Sequence, residues 1–325
     1  MDARPQAERV PTIRCVGGAA RRSPAARMRY HGARMDRIVL LGANGQLGTD
    51  LARALAGPGL VALTRRDLDV TDREAVERTI GELTPGVAVN TAAFHRVDDI
   101  EADPRPAFLV NAVAVHHLAR ACARHGARLV HFSTDYVFGA GAPGPYAENA
   151  PPAPLSAYGT SKLAGEHLVR QASPRHLVVR SSGLYGVAGS SGKGGNFVET
   201  MVRLARDGRP IRVVADQVLA PTYTADLADA VARLLAVDPP GGVYHLTNAG
   251  ACSWLAFAER IFELAGLAPA LTPTTSAAFG APARRPANSV LLDTRAADLG
   301  LARLRPWSEA LRAYLAAKHH LAPGR

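Results

Sequence analysis

The sequence predicts an α/β protein built on a doubly wound parallel sheet. Short apolar runs alternate with segments whose apolar residues recur at helical spacing, and the first run leads directly into a glycine-rich turn. Strands that alternate with helices of this length form parallel sheets covered by helices on both faces. The chain has 325 residues, of which 47% are hydrophobic, so it can bury a substantial core.

Five buried strands account for the apolar runs in the first part of the chain. They are predicted at residues 38–42, 60–64, 87–93, 128–133 and 176–182. Helices are predicted between them, because apolar residues recur there at helical spacing. These helices are predicted at residues 50–56, 72–83, 106–126 and 161–171. In such folds ligands bind beyond the carboxyl ends of the strands, so each loop after a strand is a candidate site.

The loop after the first strand carries three glycines, in the order Gly42-Ala-Asn-Gly45-Gln-Leu-Gly48. Glycines at this spacing permit a tight turn, close approach of the backbone to a pyrophosphate, and packing of the next helix on the sheet. The helix N-terminus also favours an anion. The turn therefore predicts a dinucleotide-binding site.

The loop after the second strand bears on the choice of coenzyme. A carboxylate at this point would accept the ribose hydroxyls of NAD, but the chain has Thr64-Arg65-Arg66. A guanidinium such as that of Arg65 suits a 2′-phosphate, so NADPH is predicted. Asp67 and Asp69 follow closely, and NADH stays open.

A tyrosine and a lysine lie four residues apart in the segment PLSAYGTSKLAGE. On a helix, Tyr158 and Lys162 would share one face. A free phenol has a pKa of about 10, and a nearby cation would lower it, so the pair could act as a general acid. Thr134, at the end of the fourth strand, could donate a hydrogen bond to a substrate carbonyl oxygen. Together these residues predict a catalytic site.

The chain divides into three parts on these patterns. A dinucleotide-binding domain is predicted over residues 36–182. Beyond it, glycine-rich and proline-containing loops predict a smaller substrate-binding lobe over residues 183–325. Residues 1–35 contain eight arginines and only Asp2 and Glu8 as acids, and they are predicted to be a disordered basic extension.

Charge and cysteine content disfavour several classes of protein. The extension contributes 8 − 2 = +6 of the formal net charge of +10, which leaves about +4 for the rest. A nearly balanced body without aromatic and basic interleaving disfavours nucleic-acid binding. No apolar run is long enough to span a bilayer. The three cysteines, Cys15, Cys122 and Cys252, are odd in number and widely spaced, with no C-x-x-C pair. They suggest neither a disulfide framework nor a zinc site, which fits a reducing cytoplasm.

The glycine turn, Ser133-Thr134 and Tyr158-x-x-x-Lys162 together resemble the extended short-chain dehydrogenases/reductases, whose fold is of the Rossmann type. Longer segments resemble one family in that class, the dTDP-4-dehydrorhamnose reductases, in order and spacing. These segments are VNTAAFHRVDDIEADP, NAVAVHHLARACARHGARLVHFSTDYVFG, YGTSKLAGE, GGNFVETMVRLA, VADQVLAPTYTADLADAV and RPANSVLLDT. The likeness covers about residues 36 to 316.

This resemblance implies a reductase that moves a hydride from a nicotinamide coenzyme to the C4 ketone of a nucleotide-linked 4-keto-6-deoxyhexose, as in dTDP-rhamnose biosynthesis. Tyr158 would protonate the developing alkoxide. Lys162 would hold the nicotinamide ribose and keep the phenol acidic, and Thr134 would orient the ketone.

The family's ligand contacts map onto two groups of residues in this chain. The implied coenzyme contacts, with Arg65 added on charge grounds, are Gly42, Asn44, Gly45, Gln46, Leu47, Gly48, Arg65, Asp69, Val70, Ala92, Ala93, Phe94, Tyr158 and Lys162. The implied substrate contacts are Val97, Thr134, Asp135, Tyr136, Gly183 and Asn196. Some family members bind magnesium at a dimer contact, but no ligands for it are evident here, so no metal is predicted. A homodimer stays open.

One position departs from the family pattern. The family segment after the fifth strand reads R-T-S-W-x-Y-G, whereas this chain reads Arg180-Ser-Ser-Gly183-Leu-Tyr-Gly186. Glycine in place of tryptophan removes an aromatic surface beside the sugar. The sequence therefore leaves the nucleotide and the sugar open.

The same fold also serves dehydratases, 4-epimerases and regulatory subunits. A dehydratase is disfavoured, because it generally carries T-D-E or T-S-E where this chain has Thr134-Asp135-Tyr136. A 4-epimerase stays open, since it needs only the tyrosine and the lysine. A regulatory subunit similar to the β-subunit of methionine adenosyltransferase also stays open. Retention of Thr134, Tyr158 and Lys162 together favours an enzyme.

Overall fold

The computed structural model describes residues 37–141, 143–189 and 195–322. The predicted basic extension, residues 1–35, lies outside these ranges. Within them the strands are β1 Ile38–Leu41, β2 Leu60–Leu63, β3 Val87–Asn90, β4 Arg128–Thr134, β5 Leu177–Ser181, β6 Leu184–Tyr185, β7 Ile211–Val214, β8 Val218–Leu219, β9 Thr222–Tyr223, β10 Gly242–His245, β11 Asn248–Ala249, β12 Cys252–Ser253, β13 Leu271–Thr274 and β14 Leu304–Pro306.

The helices of the described ranges pack around these strands. They are α1 Gln46–Ala54, α2 Arg73–Leu83, α3 Val97–Ala102, α4 Arg105–Phe108, α5 Ala114–Arg124, α6 Ala157–Ala172, α7 Phe197–Arg206, α8 Thr224–Ala236, α9 Trp254–Ala265, α10 Ser276–Phe279, α11 Thr294–Asp298 and α12 Trp307–Ala317. A π-helical turn, Leu109–Val113, joins α4 to α5. A 3-10 turn, Asp135–Val137, follows β4.

The central sheet is parallel throughout and has the strand order β10-β5-β4-β3-β1-β2. Strands β1 to β5 are the five predicted from the sequence. The order reverses between β1 and β3, which is the switch point where such sheets bind ligands. The predicted doubly wound parallel sheet is confirmed.

Alternate residues of each strand face two different helical layers. Leu40 of β1 lies in one buried cluster with Leu51 of α1 and Leu227 of α8. Its neighbour Val39 lies in the other cluster, with Leu118 of α5. Strands β1, β3, β4 and β5 are buried along their whole length, because helices exclude water from both faces.

The sheet extends past the predicted domain boundary at residue 182. Strand β10 pairs in parallel with β5, with Gly242 opposite Leu177. Helix α8, which precedes β10, packs in the same layer as α1. The chain therefore leaves the sheet after β5, returns to complete its edge, and leaves again.

The rest of the C-terminal half forms a second core beside the sheet. Helices α7, α9 and α12 supply most of this core. The Tyr185 ring lies 5.2 Å from Tyr314 and 5.5 Å from Phe257, measured between ring centroids. This aromatic cluster fixes β6 against the second core.

One late stretch of chain, residues 283–292, crosses back to the carboxyl edge of the sheet, and we call it the return segment. Tyr146 N–H donates to Val290 O at 2.8 Å, and Leu292 N–H donates to Tyr146 O at 2.8 Å. Ser289 N–H donates to Val218 O at 2.9 Å. These bonds hold the return segment beside the end of β4, where Thr134 lies.

Candidate active site

The glycine turn between β1 and α1 has no room for side chains at two of its glycines. Gly42 has φ = +79°, a conformation that other residues rarely adopt, and a β-carbon there would lie 2.6 Å from Thr91 Oγ1. A β-carbon on Gly48 would lie 2.1 Å from Gly42 O. Gly45 begins α1 without a side-chain cap, so the first amides of the helix are open to an anion. The turn fits a pyrophosphate.

The other residues of the turn have different surroundings. Asn44 is exposed, whereas Leu47 is buried in the core cluster that α1 shares with α8. Gln46 Nε2 donates to Leu184 O at 3.2 Å. Gln46 thus ties the turn to β6.

Arg65 and Asp69 form an ion pair at the end of β2, with 3.1 Å between Arg65 Nη2 and Asp69 Oδ2. Hydrogen bonds from the backbone and the hydroxyl of Thr71, together with Arg65, hold the pKa of Asp69 below its usual range. Val70 packs against the core beside them. A guanidinium and a carboxylate therefore lie at the edge of the predicted adenosine site.

The loop after β3 is held by two asparagines. Strand β3 ends at Asn90, earlier than predicted, because Asn90 Oδ1 accepts the Ala92 N–H at 3.0 Å. Asn111 Oδ1 accepts the Phe94 N–H at 2.9 Å, and Asn111 Nδ2 donates to Phe94 O at 2.8 Å. The backbone of residues 92–94, including Ala93, is thereby fixed beside the glycine turn.

Asn111 was missed by the sequence analysis, which placed it inside one helix over residues 106–126. The structure interrupts that helix with the π-helical turn, and Asn111 is fully buried. Turns of this kind often lie at functional sites. A lone asparagine between apolar residues was the signal available in the sequence.

Helix α6 presents Tyr158 and Lys162 on one face, as predicted. Ser156 caps its N-terminus by accepting the Gly159 N–H at 3.2 Å. The Tyr158 hydroxyl is hydrogen-bonded to Thr134. The ring of Tyr158 meets the ring of Tyr136 edge-on at 5.8 Å. The structure thus brings together Thr134, Tyr136 and Tyr158, and Lys162 lies one helical turn further along the same face of α6.

The pKa of Tyr158 is raised above its usual value, whereas the sequence led us to expect that Lys162 would lower it. Burial raises the pKa of Tyr158, and its hydrogen bond with Thr134 opposes the rise. Lys162 is 2% exposed, and its Nζ lies 3.3 Å from His131 Nε2. Burial also lowers the pKa of Lys162 to about 8. In this arrangement desolvation dominates both groups.

Asp135 lies behind Thr134 and is 2% exposed. Its carboxylate accepts from Thr134 Oγ1 at 3.0 Å, Ser182 Oγ at 2.8 Å and Ser289 Oγ at 2.6 Å. Burial raises the pKa of Asp135, and these hydroxyl groups oppose the rise. Asp135, predicted to contact substrate, is placed to orient Thr134 and to bind the return segment.

Tyr136 is held by an arginine that the sequence analysis did not single out. Its hydroxyl is hydrogen-bonded to Arg285 of the return segment. Arg285 Nη2 lies 2.8 Å from Asp98 Oδ2, and Asp98 follows Val97 at the start of α3. Burial raises the pKa of Tyr136 to about 12, and Asp135 adds to the rise. The phenol is therefore neutral at physiological pH.

Gly183 and Asn196, both predicted to contact substrate, have close neighbours within the protein. Gly183 has φ = +53°, and a β-carbon there would lie 2.7 Å from Leu219 Cδ1. Asn196 caps α7 by accepting the Glu199 N–H at 3.1 Å, and its Nδ2 donates to Gln46 Oε1 at 3.3 Å. Gly183 is therefore required by its turn, and Asn196 braces the glycine turn.

A buried ion pair fixes α6 to the sheet. Arg180 of β5 binds Glu166 of α6 through two bonds of 2.9 and 2.6 Å. Ser133 Oγ of β4 donates to the same carboxylate at 2.5 Å. The helix that carries Tyr158 and Lys162 is thereby held in register with the end of β4.

In the described part of the chain, no three His, Cys, Asp or Glu side chains are grouped so that they could hold a metal ion. No helix in the same ranges is both long and apolar enough to cross a membrane.

The parallel sheet, its glycine turn and the grouping of Thr134, Tyr158 and Lys162 define an extended short-chain dehydrogenase/reductase. Residues 35–320 match the model of a narrower family, described as the RmlD substrate binding domain. The chain belongs to this family.

Named relatives and a solved structure resemble nearly the whole chain. A dTDP-4-dehydrorhamnose reductase of Streptomyces griseus is 44% identical over 283 residues, which are 85% of this chain and 91% of that protein. A probable dTDP-4,6-dihydroxy-2-methyloxan-3-one 4-ketoreductase of Streptomyces antibioticus is 46% identical over 296 residues, 87% of this chain and 97% of that protein. The crystal structure of the dTDP-4-dehydrorhamnose reductase of Bacillus anthracis in complex with NADP has a TM-score of 0.82 at 36% identity, and covers 87% of this chain and 99% of that one.

Proposed function

We propose that this protein uses NADPH to reduce the C4 ketone of a dTDP-linked 4-keto-6-deoxyhexose, in a reaction of the dTDP-4-dehydrorhamnose reductase type. The observation that carries the proposal is the contact of Tyr158 with Thr134 at the carboxyl end of β4, on the same edge of the sheet as a turn that fits a pyrophosphate. The names of the relatives, two of them ketoreductases or reductases of dTDP sugars, support the same reaction.

Tyr158 supplies the proton that the reduced oxygen needs. The bound coenzyme supplies the hydride. Because burial raises its pKa, the Tyr158 phenol is protonated at neutral pH and can donate to an alkoxide. Thr134 Oγ1 donates its single proton to Asp135 in this structure, so the hydroxyl stabilises the oxygen that acquires negative charge by turning that proton from Asp135 to it.

Lys162 and the loop after β3 hold the nicotinamide end of the coenzyme. The pKa of Lys162 is about 8, so most of it is an ammonium at pH 7 and can donate to ribose hydroxyls. Ala92, Ala93 and Phe94 offer a backbone fixed by Asn111. We assign these residues to the nicotinamide ribose, and Gly42 to Gly48 to the pyrophosphate.

Arg65 is the basis for preferring NADPH. Its side chain is 86% exposed and pairs with Asp69 through Nε and Nη2, so a 2′-phosphate can reach the guanidinium. Asp69 and Val70 lie beside the adenosine in this proposal. NADH is the second coenzyme to test.

The sugar is proposed to lie between Tyr136, Val97 and the return segment. Tyr136 and Arg285 place a phenol and a guanidinium at this edge. Gly183 gives no aromatic cover, so the identity of the sugar depends on these polar groups. A cytoplasmic location and a homodimer complete the proposal and rest on the family alone.

The test offers purified protein dTDP-4-dehydrorhamnose with NADPH or NADH and follows the absorbance of the reduced nicotinamide. The expected result is oxidation of NADPH that requires the sugar, with dTDP-rhamnose as the product identified by NMR. Inversion at C4 without net oxidation of coenzyme would instead indicate a 4-epimerase. Coenzyme binding without any turnover would indicate a regulatory subunit.

A further inference from the structure

A buried row of polar groups runs from β3 to Lys162. Ala92 N–H donates to Asn90 Oδ1 at 3.0 Å, and Asn90 Nδ2 lies 3.3 Å from His131 Nδ1. The other ring nitrogen, His131 Nε2, lies 3.3 Å from Lys162 Nζ. Asn90 and Lys162 are each 2% exposed and His131 is fully buried, so bulk solvent does not reach these groups.

The direction of every hydrogen bond in this row follows from its first member. A backbone N–H can only donate, so the side-chain atom of Asn90 that faces Ala92 is its oxygen. The atom of Asn90 that faces His131 is then the amide nitrogen, a donor, and His131 Nδ1 must accept. A neutral imidazole that accepts at Nδ1 carries its proton on Nε2.

Lys162 is the last member of the row, and its protonation state is thereby constrained. An Nε2–H needs an acceptor, and an ammonium group has none. An uncharged amine has a lone pair and can accept. All groups in the row are satisfied together only when Lys162 is uncharged.

We propose that His131, oriented by Asn90, is a positioning residue that donates from Nε2 to Lys162 and stabilises its uncharged amine. The lowered pKa of Lys162, to about 8, agrees with this direction. Burial also holds the pKa of His131 well below its usual value, so the ring is neutral.

The consequence concerns coenzyme binding and rests on the proposed function. A ribose beside a pyrophosphate favours the ammonium form of Lys162, since ammonium donates to oxygen and attracts the anion. Above about pH 8, where Lys162 is mostly an amine, the protein must therefore take up a proton when NADPH binds. We expect the affinity for NADPH to fall by about tenfold per pH unit above the pKa of Lys162.

Other ionisable groups near Lys162 are mostly engaged with partners of their own. Glu166, one turn along α6, is the charged group that raises the pKa of Lys162. Its carboxylate is bound by Arg180 of β5 and Ser133 of β4. The other ionisable groups on α6 are Tyr158, bonded to Thr134, and His167 and Arg170. The elements packed against α6 contribute Asp135 and Tyr136 in the 3-10 turn, Asp98, Asp99 and Glu101 on α3, Arg105 on α4, His116, His117, Arg120, Cys122 and Arg124 on α5, and Arg128 on β4. Of these, Asp98 pairs with Arg285, Glu101 accepts from the Ala157 amide, Arg105 pairs with Asp103, Arg124 pairs with Glu77, and Arg128 pairs with Asp238.

The direct test determines the tautomer of His131. Protein labelled with ¹⁵N-histidine would be studied at pH 9 by long-range ¹H–¹⁵N NMR, with His131→Gln used for assignment. Two buried histidines calibrate the spectrum. His176 accepts from the Leu129 N–H at Nδ1 and donates from Nε2 to Ala119 O, whereas His245 donates from Nδ1 to Leu292 O.

The expected spectrum gives His131 the pattern of His176. A proton on Nδ1, as in His245, or a doubly protonated ring would overturn the proposal. This result does not depend on NADPH binding, so it separates a failure of the inference from a failure of the proposed function.

A second test measures the dissociation constant of NADPH from pH 6 to 10 by its fluorescence. In His131→Gln the amide oxygen can accept from an ammonium, so the weakening of NADPH binding should begin about one pH unit higher than in the wild type. His176→Gln, which alters a buried histidine away from Lys162, should follow the wild-type curve. Superimposable curves for His131→Gln and the wild type would overturn the proposal.

Discussion

A β-carbon on Gly159 would lie 2.2 Å from the carbonyl oxygen of Tyr136. The helix that carries Tyr158 therefore touches the backbone of the 3-10 turn that follows Thr134. This contact limits how closely α6 can approach the turn, and so helps to set the distance between the phenol and the threonine hydroxyl. The bond from Ser289 to Asp135 fixes the turn to the return segment.

Gly159→Ala should push α6 away from Tyr136. In an exposed helix this change is stabilising by up to about 1 kcal/mol. Here overpacking should lower the free energy of unfolding by about 1–3 kcal/mol and reduce kcat. Urea unfolding and steady-state kinetics measure both effects. Gly57→Ala is the matched control, since a β-carbon at Gly57 meets no atom within 4 Å, and equal stability of the two variants would contradict the contact.

Tyr158→Phe should reduce kcat by about 10²- to 10⁴-fold, because it removes the proton donor while keeping the ring. The dissociation constant of NADPH, measured by fluorescence, should stay close to that of the wild type. Tyr244→Phe is the control: it removes a phenol hydroxyl on β10 that donates to Pro240 O at 2.7 Å. This variant should leave kcat unchanged. Full activity of Tyr158→Phe would rule out this tyrosine as the acid.

Arg285→Ala should raise the KM for the sugar nucleotide by about tenfold, the equivalent of one charge-assisted hydrogen bond. The loss frees Tyr136 from the return segment, while the coenzyme site on the other side of Tyr158 is untouched. Arg284→Ala, at the exposed neighbouring position, is the control. An unchanged KM in Arg285→Ala would show that this guanidinium does not shape the substrate site.

Glu166→Gln should lower the free energy of unfolding by about 3–5 kcal/mol, since it leaves the buried Arg180 guanidinium without its charged partner. Glu263→Gln breaks a more exposed pair with Arg260 and should cost about 0.5 kcal/mol or less. Chemical denaturation of both variants distinguishes them. Similar losses would mean that the ion pair beneath α6 contributes no more than a surface pair.

Lys162→Met should reveal a pH dependence of stability. The pKa of Lys162 is lowered from 10.5 to about 8, so between these pH values the unfolded chain binds a proton that the folded protein does not. The stability of the wild type relative to Lys162→Met should therefore rise by up to about 1.4 kcal/mol per pH unit in that window, and stay level below pH 8. Urea unfolding from pH 7 to 10 measures the difference, and a constant difference would refute the shift.

Local patterns in the sequence were sufficient for much of the fold. Apolar runs of the right length predict β1 to β5, because buried parallel strands need little else. The glycine turn was predictable because the clash at Gly48 depends on a backbone only six residues away. The pairing of Tyr158 with Lys162 on one face follows from helical spacing alone.

Other parts of the site come from segments far apart in the chain. Strand β10 lies among loops, and only its pairing with β5 makes it part of the sheet. Arg285, Asn111 and His131 show no motif, and each reaches the site through a contact with another segment.

The sequence by itself determined the fold class, and it predicted the coenzyme turn and the residues proposed to carry the chemistry. The tertiary structure alone decided their electrostatic state: burial raises the pKa of Tyr158 and lowers that of Lys162. The physical reason is that desolvation and hydrogen-bond direction depend on every group packed around a side chain. For Lys162 those groups come from β3, β4 and β5, which no local pattern around residue 162 specifies.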